Sequence, residues 1–144
     1  MQLGIGNLPN AVALHLADRN DLGVHSELFS HAFVRLVKSG VVTGRKKTIH
    51  PRKHVFTFAI GDDEVYEFIN DNPSMESYSS AYVNDIHVIA EHDNLVSVNT
   101  AIEIDLYGQV NAEFINGHQY SGSGGQFDFV KGPLFRKAAS PSSD

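Results

Sequence analysis

The sequence LGVHSELFS, residues 22–30, decides the fold because it joins a short buried strand directly to a helix. The apolar pattern of residues 22–27 predicts the strand. Ser30 follows as a helix N-cap, and Gly40 ends the helix. One face of this helix is apolar and faces a core, formed by Phe33, Val34, Leu36 and Val37. A strand followed by a helix is the repeating unit of an α/β protein.

The same alternation extends in both directions along the chain. Upstream, residues 2–6 predict the end of a strand that runs into a glycine turn, and a short helix starts at Asn10. Downstream, residues 54–60 predict a third strand, and acidic residues 62–64 begin a helix that continues to Ile69. We therefore predict an α/β fold, with a layered, largely parallel sheet and flanking helices.

The second half of the chain carries shorter elements. Residues 75–78 predict a strand, residues 85–91 a short helix, and residues 95–106 a half-buried strand, because their apolar residues alternate. A turn at residues 107–108 folds this strand back on residues 110–115 as a hairpin. The strand and helix units thus continue beyond the first half of the chain.

Composition restricts the class of protein. The chain has 144 residues, 42% of them hydrophobic, which suits one globular domain. A formal charge of -6 provides no basic surface for a phosphate backbone, so we predict no nucleic-acid partner. The absence of cysteine excludes disulfides and thiolate metal sites, and it predicts a cytoplasmic protein. No apolar run reaches the length of a membrane span, so no membrane partner is predicted.

A glycine loop, Gly122-Ser123-Gly124-Gly125, precedes the apolar residues near the C-terminus. Consecutive backbone N–H groups in such a loop can form a concave nest that binds an anion or a developing oxyanion. A flexible surface loop is the alternative interpretation. The loop lacks the lysine of a nucleotide P-loop, and residues 4–6 lack the third glycine of a dinucleotide-binding turn.

Glu27 is predicted at the end of an apolar strand, just before a helix. A carboxylate in this position can be partly desolvated and can act as a nucleophile. A solvated glutamate at a helix start is the alternative. From the residues alone, both interpretations of Glu27 remain open.

Other sites have weaker signals in the sequence. The pairs His50 with His54 and His87 with His92 lack an acid in a known ligand pattern, so we predict no metal site. Nucleophile-elbow spacing is absent, which disfavours a serine hydrolase. The basic run at residues 45–47 is typical of a solvated loop, with phosphate binding as the alternative.

Four ordered strings resemble the acetyl-CoA hydrolase and 4-hydroxybutyrate CoA-transferase family. They are QLGIGNLPNAV at residues 2–12, LGVHSELFS at 22–30, YVND at 82–85, and the segment from Gln109 through YSGSGGQFDF at 120–129. The resemblance implies a CoA-transferase-like half-domain at residues 1–136. It implies transfer of CoA between a short-chain acyl-CoA and a carboxylic acid. The polar composition of the end of the chain predicts a disordered tail at residues 137–144.

The resemblance also implies the roles of individual residues. Glu27 matches the family nucleophile, which forms a glutamyl-CoA thioester. Ile5 and Gly125 match the backbone donors to the oxyanion, and the residues that match positions near substrate or CoA are Asn84, Gly122 and Gly124. No permanently bound cofactor is implied, because the coenzyme A thioester is itself a substrate. An acyl-CoA hydrolase and a catalytically silent assembly module are the alternative functions.

The chain departs from the family pattern in two respects. His31-Ala32 stands where the family usually has Asp-Gly, which changes the charge close to Glu27. Family enzymes are also about three times longer. We therefore expect the partners to include the segments that precede and follow this region in a parent enzyme, and the exposed surface favours a homo-oligomer.

Overall fold

A computed structural model describes residues 1–135 of the chain. Its strands are β1 (Gln2–Leu3), β2 (His25–Ser30), β3 (His54–Ile60), β4 (Met75–Ser77), β5 (Ser97–Val98), β6 (Glu103–Ile104), β7 (Val110–Asn111), β8 (Phe114–Ile115) and β9 (His118–Gln119). Its helices are α1 (Asn7–Leu14), α2 (His31–Lys38), α3 (Asp63–Ile69), α4 (Ser80–Val83), α5 (Ile86–Ala90) and α6 (Gln126–Lys131), followed by a 3₁₀ turn at Gly132–Phe135. The predicted tail, residues 137–144, lies outside the described residues.

The centre of the fold is a parallel sheet in the order β2-β3-β4. In its register, His25 is opposite Val55 and Phe29 is opposite Ala59. A second parallel pair, β1 with β5, lies against β2, where the Ser26 hydroxyl donates to the Leu3 carbonyl. Strands alternate with helices from β1 to α4, and five short strands follow one another from β5 to β9. The predicted α/β fold is confirmed.

Apolar clusters cover the central sheet on two sides. On one side, α2 and α3 bury aromatic rings against the sheet, and Phe29 stacks on Phe33 with ring centroids 5.5 Å apart. A smaller cluster joins the other side of β3 to the helices that follow it, and its members are Val55, Val83, Ile89 and Phe129. Burial of these side chains provides the main stabilising contribution to the domain. Among residues 1–135, no helix is long and apolar enough to cross a membrane.

The strand predicted at residues 22–27 occupies residues 25–30 instead. Leu22 forms only an isolated parallel bridge with Val42, because the chain before His25 follows the loop after α2. Glu27 therefore lies in the middle of β2 and not at its end, so this part of the prediction was wrong. Ser30 precedes α2 as predicted, although its side chain makes no capping hydrogen bond.

The long strand predicted at residues 95–106 does not form. That region forms two separate two-residue strands, β5 and β6, and the apolar side chains after Thr100 are largely exposed. The predicted turn at residues 107–108 does close an antiparallel hairpin, but only Glu103–Ile104 and Val110–Asn111 pair across it. A second hairpin pairs β8 with β9 across Asn116-Gly117, both of which have positive φ. This dipeptide is a strong hairpin signal that the sequence analysis overlooked.

Candidate active site

Glu27 lines two neighbouring cavities, which also share Ser123 and Gly124. The first has a volume of about 350 Å³ and extends from Glu27 over β1 toward the hairpins. The second is more open, has a volume of about 560 Å³ and extends from Glu27 over α4 and α6. The side chain of Glu27 is partly buried, so its carboxylate is accessible from both cavities. A nucleophile in this position can contact two different groups at once.

The glycine loop reaches Glu27 at Gly125. A β-carbon added to Gly125 would overlap the carboxylate of Glu27, and it would lie 2.5 Å from Nδ2 of Asn84. Real β-carbons do not approach other atoms this closely, so any residue larger than glycine would require the Glu27 carboxylate or the Asn84 amide to shift. Gly125 is buried, whereas residues 121–124 are exposed. The backbone at Gly125 is thus the point where the loop, the carboxylate and the amide converge.

Asn84 is held at the end of α4, where its backbone N–H donates to the Ser80 carbonyl at 2.9 Å. Its side-chain Nδ2 points toward Gly125. Its Oδ1 is buried and has no hydrogen-bond partner among the described residues. A buried amide oxygen without a partner is costly. This oxygen is therefore available to accept a hydrogen bond from a bound ligand.

The structure brings all six predicted site residues to the two cavities. Ile5, Gly122, Gly124 and Gly125 line the first cavity together with Glu27. Asn84 and Gly124 line the second cavity, again with Glu27. Gly124 has a φ of 52°, a left-handed conformation that favours glycine at this bend of the loop. The structure therefore supports one common location for these residues, and their chemical roles remain predictions.

Several residues around the cavities were missed by the sequence analysis. Phe58 and Tyr120 line the first cavity, and the polar residues of the second are Ser80, Ser123, Asp85 and Asp128. Asp85 also caps α5, where it accepts a hydrogen bond from the His87 backbone at 2.7 Å. The strings YVND and YSGSGGQFDF contained Asp85, Tyr120, Ser123 and Asp128 without marking them as site residues, whereas Phe58 and Ser80 had no signal in the sequence.

The basic run at residues 45–47 is not uniformly solvated, in contrast to the prediction. Lys47 turns inward and donates hydrogen bonds to the carbonyls of Val24 and Lys53, each at 2.8 Å. Burial lowers the pKa of its ammonium group to about 8. Lys47 thus joins the loop to the strands, while Arg45 and Lys46 are exposed.

Two acidic side chains lie next to His31, the residue that stands where the family usually has Asp. Its two ring nitrogens face Asp62 at 3.4 Å and Glu64 at 3.1 Å. One ligand atom from each of these three residues lies within 4.8 Å of the others, the geometry of a possible metal group. Both acids are exposed, and Lys38 also bonds to Glu64 at 2.7 Å. His31 therefore connects α2 to the start of α3, on the apolar side of the sheet away from α4.

Buried histidines make the stability of this domain sensitive to acid. Burial lowers the pKa values of His25 and His54 to about 4 and that of His92 to about 2. The unfolded chain binds protons on these histidines near pH 6.5, whereas the folded chain does not. The stabilising contribution of the neutral rings is thus present above pH 6.5 and is lost as the pH falls toward 4.

We expect the free energy of unfolding to fall between pH 7 and pH 4, by about 1 to 3 kcal/mol for each buried histidine. Urea denaturation at intervals of one pH unit measures this decrease. His54→Gln removes one titrating ring that lines neither cavity, so the stability of this variant should decrease less over the same pH range. If the free energy of unfolding falls equally with pH in the variant and the parent, His54 does not contribute to the acid sensitivity.

Comparison with known proteins gives the family. The model of the acetyl-CoA hydrolase/transferase C-terminal domain matches residues 61–141, more than half of the chain. The chain belongs to this family. Glu27 precedes the matched residues, but relatives of known sequence cover it as well. This acetyl-CoA hydrolase/transferase domain is 49% identical over 137 residues to 4-hydroxybutyrate coenzyme A transferase of Clostridium kluyveri.

Two further relatives support the assignment. The domain is 48% identical to the probable butyrate:acetyl-CoA coenzyme A-transferase of Syntrophomonas wolfei, over 92% of the chain and 30% of the relative. The crystal structure of RipA from Yersinia pestis superposes with a TM-score of 0.87 and 51% identity, over 92% of the chain and 30% of RipA. The match to the Clostridium enzyme covers 95% of the chain and 32% of that enzyme. The chain thus spans about a third of the relatives' length.

Proposed function

We propose that this domain carries the nucleophile of a CoA-transferase, which moves coenzyme A between a short-chain acyl-CoA and a carboxylic acid. The convergence of Glu27, Asn84 and Gly125 is the observation that carries the proposal. It places a carboxylate, an amide and a backbone segment around one point between two cavities. Two cavities suit a reaction in which an acyl group and a thiol must reach the same carboxylate.

In the first half-reaction, the Glu27 carboxylate attacks the thioester carbonyl of the acyl-CoA. The carbon–sulfur bond breaks and CoA thiolate leaves, so an acyl-glutamyl anhydride forms. The thiolate then attacks the carbonyl carbon of Glu27, and the acyl group leaves as a free carboxylate. The product is a glutamyl-CoA thioester, and the process needs no redox partner.

In the second half-reaction, the carboxylate of the acceptor acid attacks the glutamyl thioester and releases the thiolate. The thiolate then attacks the acyl carbonyl of the new anhydride, which restores Glu27. An anhydride retains the transfer potential of the thioester, whereas attack by water loses it. Each attack creates an oxyanion, for which backbone donors near Ile5 and Gly125 are the proposed partners.

The remaining features of the proposal concern partners and location. The substrates are an acyl-CoA and a small carboxylic acid, and no other cofactor is required. The segments that make up the rest of the relatives' length are proposed to complete the binding cleft. Exposed apolar residues of the hairpins, such as Leu106 and Tyr107, provide a surface for that contact or for a homo-oligomer. The cytoplasmic location remains a prediction.

Trapping of the intermediate tests this function. The chain is prepared alone and in place of the matching segment of the Clostridium kluyveri enzyme, and each protein is incubated with butyryl-CoA and then borohydride. Hydride reduces a glutamyl thioester to an alcohol, so peptide mass spectrometry should find the alcohol at Glu27. Loss of thioester without an acceptor acid would favour the hydrolase alternative. CoA exchange without any modification at Glu27 would refute the mechanism, and inactivity of both proteins would favour the silent module.

A further inference from the structure

His25 lies two residues before Glu27 on β2 and faces the same elements. Its ring packs against Phe129 of α6, with centroids 6.1 Å apart, and its Nε2 lies 2.8 Å from the Val83 carbonyl oxygen. Glu27 lies beside Gly125, which precedes α6, and it lines the second cavity together with Asn84 at the end of α4. The imidazole and the carboxylate are thus directed toward α4 and α6 together.

The hydrogen bond from His25 fixes one particular peptide group. A carbonyl oxygen can only accept, so Nε2 of His25 carries the proton and donates. The Val83 carbonyl belongs to the peptide that ends α4 and begins Asn84, where helix carbonyls lack partners within the helix. The N–H of the same peptide donates to Ser80. Both polar groups of this peptide are therefore held, which sets the direction of the Asn84 side chain.

The side-chain amide of Asn84 is closely surrounded by other groups. Its Nδ2 lies next to the Gly125 α-carbon, and the Glu27 carboxylate occupies the adjacent space. Rotation of the peptide between Val83 and Asn84 would move the amide away from the carboxylate. The neutral ring of His25 has one N–H group, and this group donates to the Val83 carbonyl. The other ring nitrogen, Nδ1, has no hydrogen-bond partner among residues 1–135.

We propose that His25 is a positioning residue that holds the Asn84 amide against the Glu27 carboxylate through the Val83 carbonyl. The proposal rests on the function proposed for Glu27, because it concerns the geometry of that nucleophile. His25 itself touches no reacting atom. It acts through its hydrogen bond to the Val83 carbonyl and through the peptide that joins Val83 to Asn84.

Three variants separate positioning from simple loss of structure. His25→Leu keeps an apolar volume but removes the donor. His25→Gln retains an N–H that can reach Val83 and is the conservative rescue. His54→Leu is the matched control, because His54 is also buried but lies on the next strand and lines neither cavity. If His25→Leu does not fold, His25→Asn replaces it, since asparagine is polar but too short to reach Val83.

The first measurement needs no catalytic activity. Heteronuclear NMR of the 144-residue chain follows the side-chain amide signals of Asn84, assigned by their loss in Asn84→Ala. We expect these signals to shift in His25→Leu, to return in His25→Gln and to stay in place in His54→Leu. Unchanged Asn84 signals in His25→Leu would overturn the proposal, whether or not the domain is a CoA-transferase.

The second measurement is the rate of borohydride-trapped modification at Glu27 in the chimaeric enzyme. We expect His25→Leu to lower this rate by about 10-fold, since small misplacements of catalytic groups have effects of this size or larger. In an Asn84→Ala background, His25→Leu should cause no more than about a twofold further loss, because the two changes disrupt one interaction. Independent, multiplicative losses would show that His25 does not act through Asn84. An inactive parent enzyme would refute the proposed function but leave the NMR result decisive for His25.

Discussion

Replacement of Glu27 by glutamine is expected to lower CoA transfer by about 1,000-fold or more, because the amide cannot attack a thioester. Glutamine has nearly the same size as glutamate, so the packing against Gly125 and Asn84 is preserved. Transfer is measured in the chimaeric enzyme as exchange of CoA between butyryl-CoA and labelled acetate. The trapped alcohol at position 27 should disappear in the same variant.

Glu67→Gln is the matched control for this substitution. Glu67 is exposed on α3, which packs on the opposite side of the central sheet from the two cavities. Loss of one surface carboxylate there should leave both transfer and the urea midpoint unchanged. If Glu27→Gln retains transfer within about tenfold of the parent, Glu27 is not the nucleophile.

Gly125→Ala is expected to lower transfer by about 100-fold through steric overlap alone. The backbone at Gly125 has a φ of -89°, which alanine adopts without strain. The added methyl group, however, would occupy the space of the Glu27 carboxylate and the Asn84 amide. One of these groups must move, and a displacement of about 1 Å at a reacting centre causes losses of this order. The transfer rate of the variant measures the loss of activity, and urea denaturation of the same preparation measures any loss of stability.

Gly122→Ala provides the comparison within the same loop. A β-carbon added at Gly122 meets no atom within 4 Å, so alanine fits there without displacement. We expect a loss of transfer of at most a few-fold and an unchanged urea midpoint. If Gly122→Ala and Gly125→Ala lower transfer equally, the flexibility of the loop matters. The contact at Gly125 would then not explain the lower transfer rate.

The first half of the fold was predictable because its apolar residues repeat with clear helix and strand periods. Residues 54–60 form a strand as predicted, since their side chains pack on both sides of a parallel sheet. The prediction for residues 95–106 was wrong because alternation also occurs in exposed segments, where Ile104 and Leu106 are not covered by residues 1–135. Alternation of apolar residues predicts a buried strand only where other elements of the fold cover that strand.

The location of the candidate site depended on the resemblance to a family more than on the residues. The α/β pattern does predict that loops meet at the carboxyl ends of the strands, which favours convergence of residues 4–6, Glu27 and residues 122–125. It does not indicate that Gly125 itself would lie against the Glu27 carboxylate. The hydrogen bond between His25 and Val83 spans 58 positions and involves a main-chain carbonyl, which has no sequence signature. Contacts of this kind become visible only when the fold is known.

The first cavity is lined by residues of the buried sheet and by exposed residues of the hairpin region. Its floor, which holds Glu27, belongs to the buried parallel sheet, while much of its rim comes from exposed residues of the hairpin region, such as Ile102 and Tyr120. Substitutions at an exposed rim change stability little, whereas those in a packed sheet are usually harmful. Mutations that reshape the rim can therefore accumulate without disturbing the carboxylate. Under the proposed function, this arrangement predicts that the bound acid differs between related domains while the carboxylate at position 27 is kept.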